Sequence, residues 1–232
     1  MSPKRYEHVF FDLDHTLWDF ARNSRETLEE LFHDFEVYKE VSDFEAFFET
    51  YHQINDAKWE AYRKGLLTKE QLRASRFSDT LLQFGIRDAH RGLLMDKQYL
   101  ERSPYKKHLF PGTLEVLGAL YEKYKLHIVT NGFIEVQHIK LKSSGLIDFF
   151  EHTISSEQVG VNKPDPRIFT YALRQAGAHR KTALMVGDHW EADIQGARSV
   201  GMDQAYFVPH ANPEVKEATY IIRDLRELLQ FL

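Results

Sequence analysis

Val9-Phe10-Phe11-Asp12-Leu13-Asp14-His15-Thr16 is the stretch whose reading decides this chain. Its apolar run is short enough for a buried strand, and it stops abruptly at two aspartates spaced two apart. In extended backbone that spacing puts Asp12 and Asp14 on one face. Carboxylates at the end of a buried strand repel each other, and a divalent cation that favours hard oxygen ligands, magnesium above all, relieves the repulsion. A carboxylate can also attack phosphorus and carry it as an aspartyl-phosphate. Taken alone, the pair reads equally well as two turn aspartates closing a strand.

Working outward, similar apolar runs recur at Leu126-His127-Ile128-Val129, Thr153-Ile154, Ala183-Leu184-Met185-Val186 and Ala205-Tyr206-Phe207-Val208. Amphipathic helical patterns separate them. Leu114, Leu117, Leu120, Tyr121 and Tyr124 follow Pro111-Gly112, and Ile134 to Lys142 stops near Gly145. Asp165-Pro166 supplies a cap and a first-turn proline for a helix that ends near Gly177. A further helix runs from Asp188 to Gly201. This alternation predicts an α/β fold, a Rossmann-like doubly wound parallel sheet with helices on both faces.

The stretch from Phe20 to Arg102 breaks the rhythm and reads as helix throughout. Leu28, Leu31, Phe32 and Phe35 hold one face. Ser42-x-x-Glu45 reads as a capping box ahead of the stripe Phe44, Phe47, Phe48, Tyr51 and Ile54, and Thr68-x-x-Gln71 repeats the signal ahead of Leu72 to Phe84. The pattern predicts an all-helical domain at 20–103 inserted into a core made of 1–19 and 104–232. The expected hinges are Trp18 to Arg22 and Ser103 to Phe110.

Bulk properties narrow the function classes. At 232 residues, 43% hydrophobic and 28% charged, the chain can bury a sizeable core and is not a disordered tail. A net charge of −5 gives no reason to expect a nucleic-acid polymer or an anionic membrane as partner. The absence of cysteine excludes disulfides, thiolate nucleophiles and cysteine-ligated metals. Met1 to His8 lacks the apolar stretch of a signal peptide, and no apolar run approaches a membrane span, so a cytoplasmic protein is expected. The histidines show no HExxH and no paired spacing suited to zinc.

Ligands of open parallel sheets bind at the carboxyl ends of the strands. Those ends here carry Asp12 and Asp14, then Thr130 and Asn131, then Lys163, then Asp188 with Asp193. Asp12-Leu13-Asp14-His15-Thr16, Thr130-Asn131-Gly132, Asn162-Lys163-Pro164 and Gly187-Asp188-x-x-x-x-Asp193, in that order, resemble the signatures of the haloacid-dehalogenase-like superfamily. The resemblance spans most of the chain. It implies that Asp12 is the nucleophile and that Asp14 is the acid that protonates the leaving oxygen and then the base that activates water. It further implies that Thr130 and the Asn131 backbone grip the phosphoryl oxygens, and that Lys163 pairs with Asp12 and neutralises phosphate charge. Asp188, the Asp12 carboxylate and the Asp14 carbonyl would hold Mg2+, with Asp193 either among the ligands or one layer behind. His15 departs from the pattern, because many relatives have glycine there.

The expected activity is that of a magnesium-dependent phosphomonoester hydrolase working through an aspartyl-phosphate on a small phosphorylated metabolite. The helical insertion resembles the C1-type caps of the superfamily, and the whole chain is similar to the pyrimidine 5′-nucleotidase branch, which points to a nucleoside 5′-monophosphate. Trp18, Asp19, Phe20 and Asn23, with Asn55 to Arg63, Arg73 and Arg76 in the insertion, are the candidate substrate contacts. A phosphomutase of the β-phosphoglucomutase type is the alternative, and a haloacid dehalogenase a weaker one, since Asp14 has no use in that chemistry. A monomer or small homo-oligomer is expected.

Overall fold

Strand β1 (His8–Phe11) is buried along its whole length, because both faces of the sheet it belongs to are covered. In the computed structural model, which describes residues 6–209 and 217–232, it pairs in parallel with β2 (Lys125–Thr130) on one side and β4 (Ala183–Gly187) on the other. The first five residues of the N-terminal stretch read for a targeting signal lie outside the described residues. With β3 (His152–Ser155), β5 (Asp203–Phe207) and β6 (Tyr220–Ile222), the sheet runs β3-β2-β1-β4-β5-β6, parallel throughout. The chain order reverses at β1, which makes the ends of β1, β2 and β4 the natural ligand crevice.

Alternation along each strand builds two cores. Val9, Phe11, Leu126, Ile128, Leu184 and Val186 face one way, against Val116, Leu117 and Leu120 of α5 (Thr113–Tyr121) and Leu141 of α6 (Ile134–Ser143). Phe10, Val129, Ile154 and Met185 face the other, against Ile168, Phe169, Ala172 and Ala176 of α8 (Pro166–Ala176). The short helices α7 (Ser156–Val159) and α9 (Gly196–Ser199) complete the connections. Asp165 caps α8 with proline in its first turn and Gly177 closes it in the left-handed conformation, as the residues there require. Two residues of the expected α5 stripe, Leu114 and Tyr121, lie exposed, since α5 covers the sheet with Val116, Leu117 and Leu120 instead.

The chain divides into two units, Met1–Phe20 with Lys107–Leu232, and Ala21–Lys106. The second is helical: α1 (Phe20–Asp34), α2 (Phe44–Arg63), α3 (Lys69–Gln83) and α4 (Ala89–Arg102) bury Leu28, Leu31, Phe32, Phe47, Tyr51, Phe77, Leu81, Met95 and Tyr99 together. Thr68 and Gln71 form the expected reciprocal capping box at α3. At α2 the cap is Asp43, whose carboxylate accepts from the Glu45 and Ala46 amides, and not Ser42. No described helix is long and apolar enough to cross a membrane.

Arg76, a candidate substrate contact by sequence, is instead buried inside the helical unit. Its Nε donates to Asp96 at 2.6 Å, Nη1 reaches Asn55 at 3.4 Å, and the guanidinium lies 4.9 Å from the Tyr99 ring centre. Breaking a buried pair by removing one partner leaves an uncompensated charge in low dielectric. Asp96→Ala is therefore expected to destabilise the unit by about 3–5 kcal/mol in urea unfolding. A change well under about 1 kcal/mol, the size of a surface pair, would mean that water reaches the guanidinium.

Candidate active site

The polar residues at the sheet's carboxyl edge form two linked clusters. Lys163, 2% exposed, is the hub of the first. Its Nζ donates to Asp12 Oδ1 at 2.6 Å, to Asp193 Oδ1 at 2.6 Å and to the Val129 carbonyl at 2.8 Å, which uses all three of its protons. The Asn131 side chain clamps the Lys163 backbone, accepting from its amide at 2.7 Å and donating to its carbonyl at 3.1 Å. The side chain of Asn131 thus serves to place Lys163, a role the sequence did not suggest.

Asp193 has both carboxylate oxygens engaged, the second accepting from the His189 amide at 3.0 Å. It sits on a π-helical turn, Trp190–Gln195, which His189 caps by accepting from the Ala192 amide through Nδ1. Such widened turns recur at functional sites because they re-aim a side chain. Gly187 makes the approach possible: a Cβ there would lie 2.4 Å from Asp193 Oδ2. Asp188 completes this cluster, accepting from Thr16 Oγ1 at 3.0 Å.

The second cluster surrounds Asp14. Gln137 Nε2 donates to its Oδ2 at 2.7 Å and Lys140 Nζ to its Oδ1 at 2.5 Å. Gln137 also reaches Thr130 Oγ1 at 3.3 Å, and Thr130 accepts from the Gly132 amide at 3.0 Å. A Cβ on Gly132 would overlap the Gln137 amide, so glycine is needed here too. Lys140 lies over the Trp18 ring at 4.1 Å, and Trp18 is fully buried, which removes it as an open substrate contact. His15 takes a φ of 65°, a conformation glycine adopts at no steric cost and histidine only with strain.

Gln137 and Lys140 were not singled out in the sequence. The only signal was their spacing of three on α6, which puts them on one face directly after Thr130-Asn131-Gly132.

Charge is unevenly shared across the edge. Burial pushes the Asp12 carboxyl well above its ordinary range, and Asp193 and Asp188 push the same way against the pull of Lys163. Burial and then the Asp193 charge lift Asp188 to about 7. Burial works against the charge on Lys163, but Asp12 and Asp193 outweigh it and hold the ammonium protonated. Burial would also raise Asp14, yet the charge and hydrogen bond of Lys140, helped by Gln137, bring it below the usual carboxylate value.

Asp12, Asp188 and Asp193 offer carboxylate oxygens within 4.8 Å of one another, three acids around one lysine. That shortfall of positive charge and the all-oxygen donor set fit a hard divalent cation.

The haloacid dehalogenase-like hydrolase family model matches residues 6–201. The chain belongs to that family. Among the relatives of this haloacid dehalogenase-like hydrolase is the pyrimidine 5′-nucleotidase YjjG of Escherichia coli (strain K12), 32% identical over 98% of both chains. The pyrimidine 5′-nucleotidase PynA of Streptococcus pneumoniae is 31% identical over 98% of this chain and 95% of its own. Among solved structures, YfnB of Bacillus subtilis bound to magnesium superposes with a TM-score of 0.88 at 30% identity, covering 98% of each chain. The family's parallel sheet and inserted helical cap are therefore the architecture of this chain.

Proposed function

We propose that this hydrolase is a magnesium-dependent phosphatase that transfers the phosphoryl group of a small metabolite, a nucleoside 5′-monophosphate by preference, to Asp12 and then to water. The observation that carries the reading is the Asp12 carboxylate at the end of β1, held by Lys163 inside an acidic cluster fitted for a dication. An Asp12 oxygen forms a bond to phosphorus while the ester P–O bond breaks. Asp14, ionised at rest beside Lys140, takes up the proton of the entering phosphate monoanion and gives it to the leaving oxygen; it then takes a proton from the water whose oxygen attacks phosphorus, and the P–O bond to Asp12 breaks.

Lys163 supplies fixed positive charge beside the transferring group, where phosphoryl transfer needs it most. The Thr130 hydroxyl and the Asn131 backbone amide are the proposed hydrogen-bond donors to the phosphoryl oxygens. Asp12, Asp188 and the Asp14 carbonyl would hold Mg2+, which when bound adds charge neutralisation at phosphate. Asp193, with both oxygens occupied, places Lys163 from one layer behind. The nucleotide preference rests on the two full-length relatives that are pyrimidine 5′-nucleotidases. A protein with these properties is expected in the cytoplasm.

Phosphate release from nucleoside monophosphates, sugar phosphates and p-nitrophenyl phosphate, each with magnesium and with EDTA, tests the reading. Magnesium-dependent release favouring nucleotides is expected. Release from sugar phosphates alone would discard the nucleotide preference, and full activity in EDTA would remove Asp188 from its proposed role. Lys140 adds a sharper expectation. A positioned acid contributes about a hundred- to ten-thousandfold, so loosening Asp14 by Lys140→Met should lower kcat about tenfold and leave KM little changed. An unchanged kcat would show that Gln137 alone positions Asp14.

A further inference from the structure

The parallel sheet gathers histidines that lie far apart in sequence. His8 at the start of β1, His127 on β2 and His152 at the start of β3 share one sheet face, with His127 and His152 in direct register. Their rings stack in a ladder: His8 to His127 at 5.3 Å between centres and 18° between planes, His127 to His152 at 5.4 Å and 15°. Asp12 follows the end of β1 whereas His8 opens it, so the ladder lies at the edge of the sheet opposite the catalytic one.

His127 is completely buried. One ring nitrogen, Nε2, is engaged with His8 Nδ1 at 3.0 Å. The other, Nδ1, has no hydrogen-bond partner among the described residues. An unmet buried polar atom is costly and calls for an explanation such as an ion. Beside it, Glu151 is anchored through its amide to the Leu126 carbonyl at 2.9 Å, and its carboxylate pairs with the exposed Lys125 ammonium at 3.8 Å, a weak surface pair. His127, Glu151 and His152 offer ligating atoms within 4.8 Å of one another.

We propose that His127, Glu151 and His152 form a second metal site, selective for a zinc-type ion, that clips the edge strand β3 to β2 at the non-catalytic end of the sheet. Two imidazoles with one carboxylate suit zinc and its neighbours in the first transition row, whereas magnesium prefers oxygen alone. The ion takes Nδ1 of His127, the nitrogen that His8 leaves over. Zinc–ligand bonds are about 2.0–2.2 Å long, and because ring-nitrogen lone pairs lie in the ring plane, His152 must turn out of the stack with His127 to aim a nitrogen at the shared ion. Glu151, just before the strand, is exposed, and His152 at its start is only half-buried, so both side chains have room to turn. With three protein ligands the fourth position is left to water. Because β3 is the outermost strand on its side, a clip there fastens the edge most open to fraying.

The test uses the full chain carrying Asp188→Asn, which weakens the carboxylate cluster as a competing zinc site. Zinc is titrated against a chromophoric chelator, with thermal melting and the visible spectrum of the cobalt-substituted protein as further readouts. One equivalent of zinc in the micromolar range or tighter is expected, with a higher melting temperature and a nitrogen–oxygen cobalt spectrum. Adding His152→Ala or Glu151→Gln, both surface changes, should weaken binding at least about tenfold, since even outer partners of a ligand contribute that much. The zinc-dependent rise in melting temperature should vanish with it. No zinc bound to the Asp188→Asn protein, or binding untouched by His152→Ala in a variant with unchanged circular dichroism, would overturn the proposal.

Discussion

Asp12→Asn is expected to abolish phosphate release while the protein stays folded. The amide cannot form the aspartyl-phosphate, and removing one member of a catalytic set that acts as a unit removes nearly all of its contribution, at least about ten-thousandfold here. Folding should survive because Lys163 keeps Asp193 and the Val129 carbonyl as partners. Burial with nearby Asp193 and Asp188 already disfavours a charge on Asp12, so the melting temperature should equal or exceed that of the parent in metal-free buffer. Intact mass spectrometry of the quenched parent enzyme should show one phosphoryl adduct that the variant lacks. Substantial turnover by the variant would move the nucleophile elsewhere.

Lys163→Met is expected to damage both activity and stability. The substitution keeps an apolar side chain of similar length but leaves Asp12 and Asp193 buried without their shared cation. Unpairing buried charges in this way costs about 3–5 kcal/mol, and the rate should fall at least a hundredfold for want of charge beside phosphate, on the order of one lost electrostatic donor. A second substitution separates the two effects. In Lys163→Met with Asp12→Asn, one of the stranded carboxylates is neutral, so urea unfolding should show part of the stability restored while activity remains absent. Equal stability of the single and double variants would mean that the carboxyls take up protons instead, and the loss should then vary with pH.

Helix caps show where local reading succeeds. Thr68 with Gln71 and Asp165 with Pro166 name their helix starts because each cap bonds amides two or three residues away. Ser42 misled because its neighbour Asp43 offers a better acceptor to the same amides. The strand Tyr220–Ile222 escaped notice, since three residues show no periodicity and become a strand only by lying against β5. Arg76 read as a candidate substrate contact, and Lys140 drew no reading of its own. Their carboxylate partners are 20 and 126 residues away, and nothing in a helical pattern reports such a partner.

What the sequence determined by itself is the set of chemistries available: four polar segments, each just beyond a predicted strand end, in an order that a parallel sheet converts into one edge. Binary pattern and capping are local, so the α/β alternation and the helical insertion could be read residue by residue. Only the tertiary structure decided how charge is shared at that edge, with Lys163 given to Asp12 and Asp193, and Lys140 given to Asp14. Only the sheet's register, likewise, could set His8, His127 and His152 into one ladder, because parallel strands join residues distant in sequence, His8 and His127 being 119 positions apart, through backbone pairing that leaves no spacing in the chain.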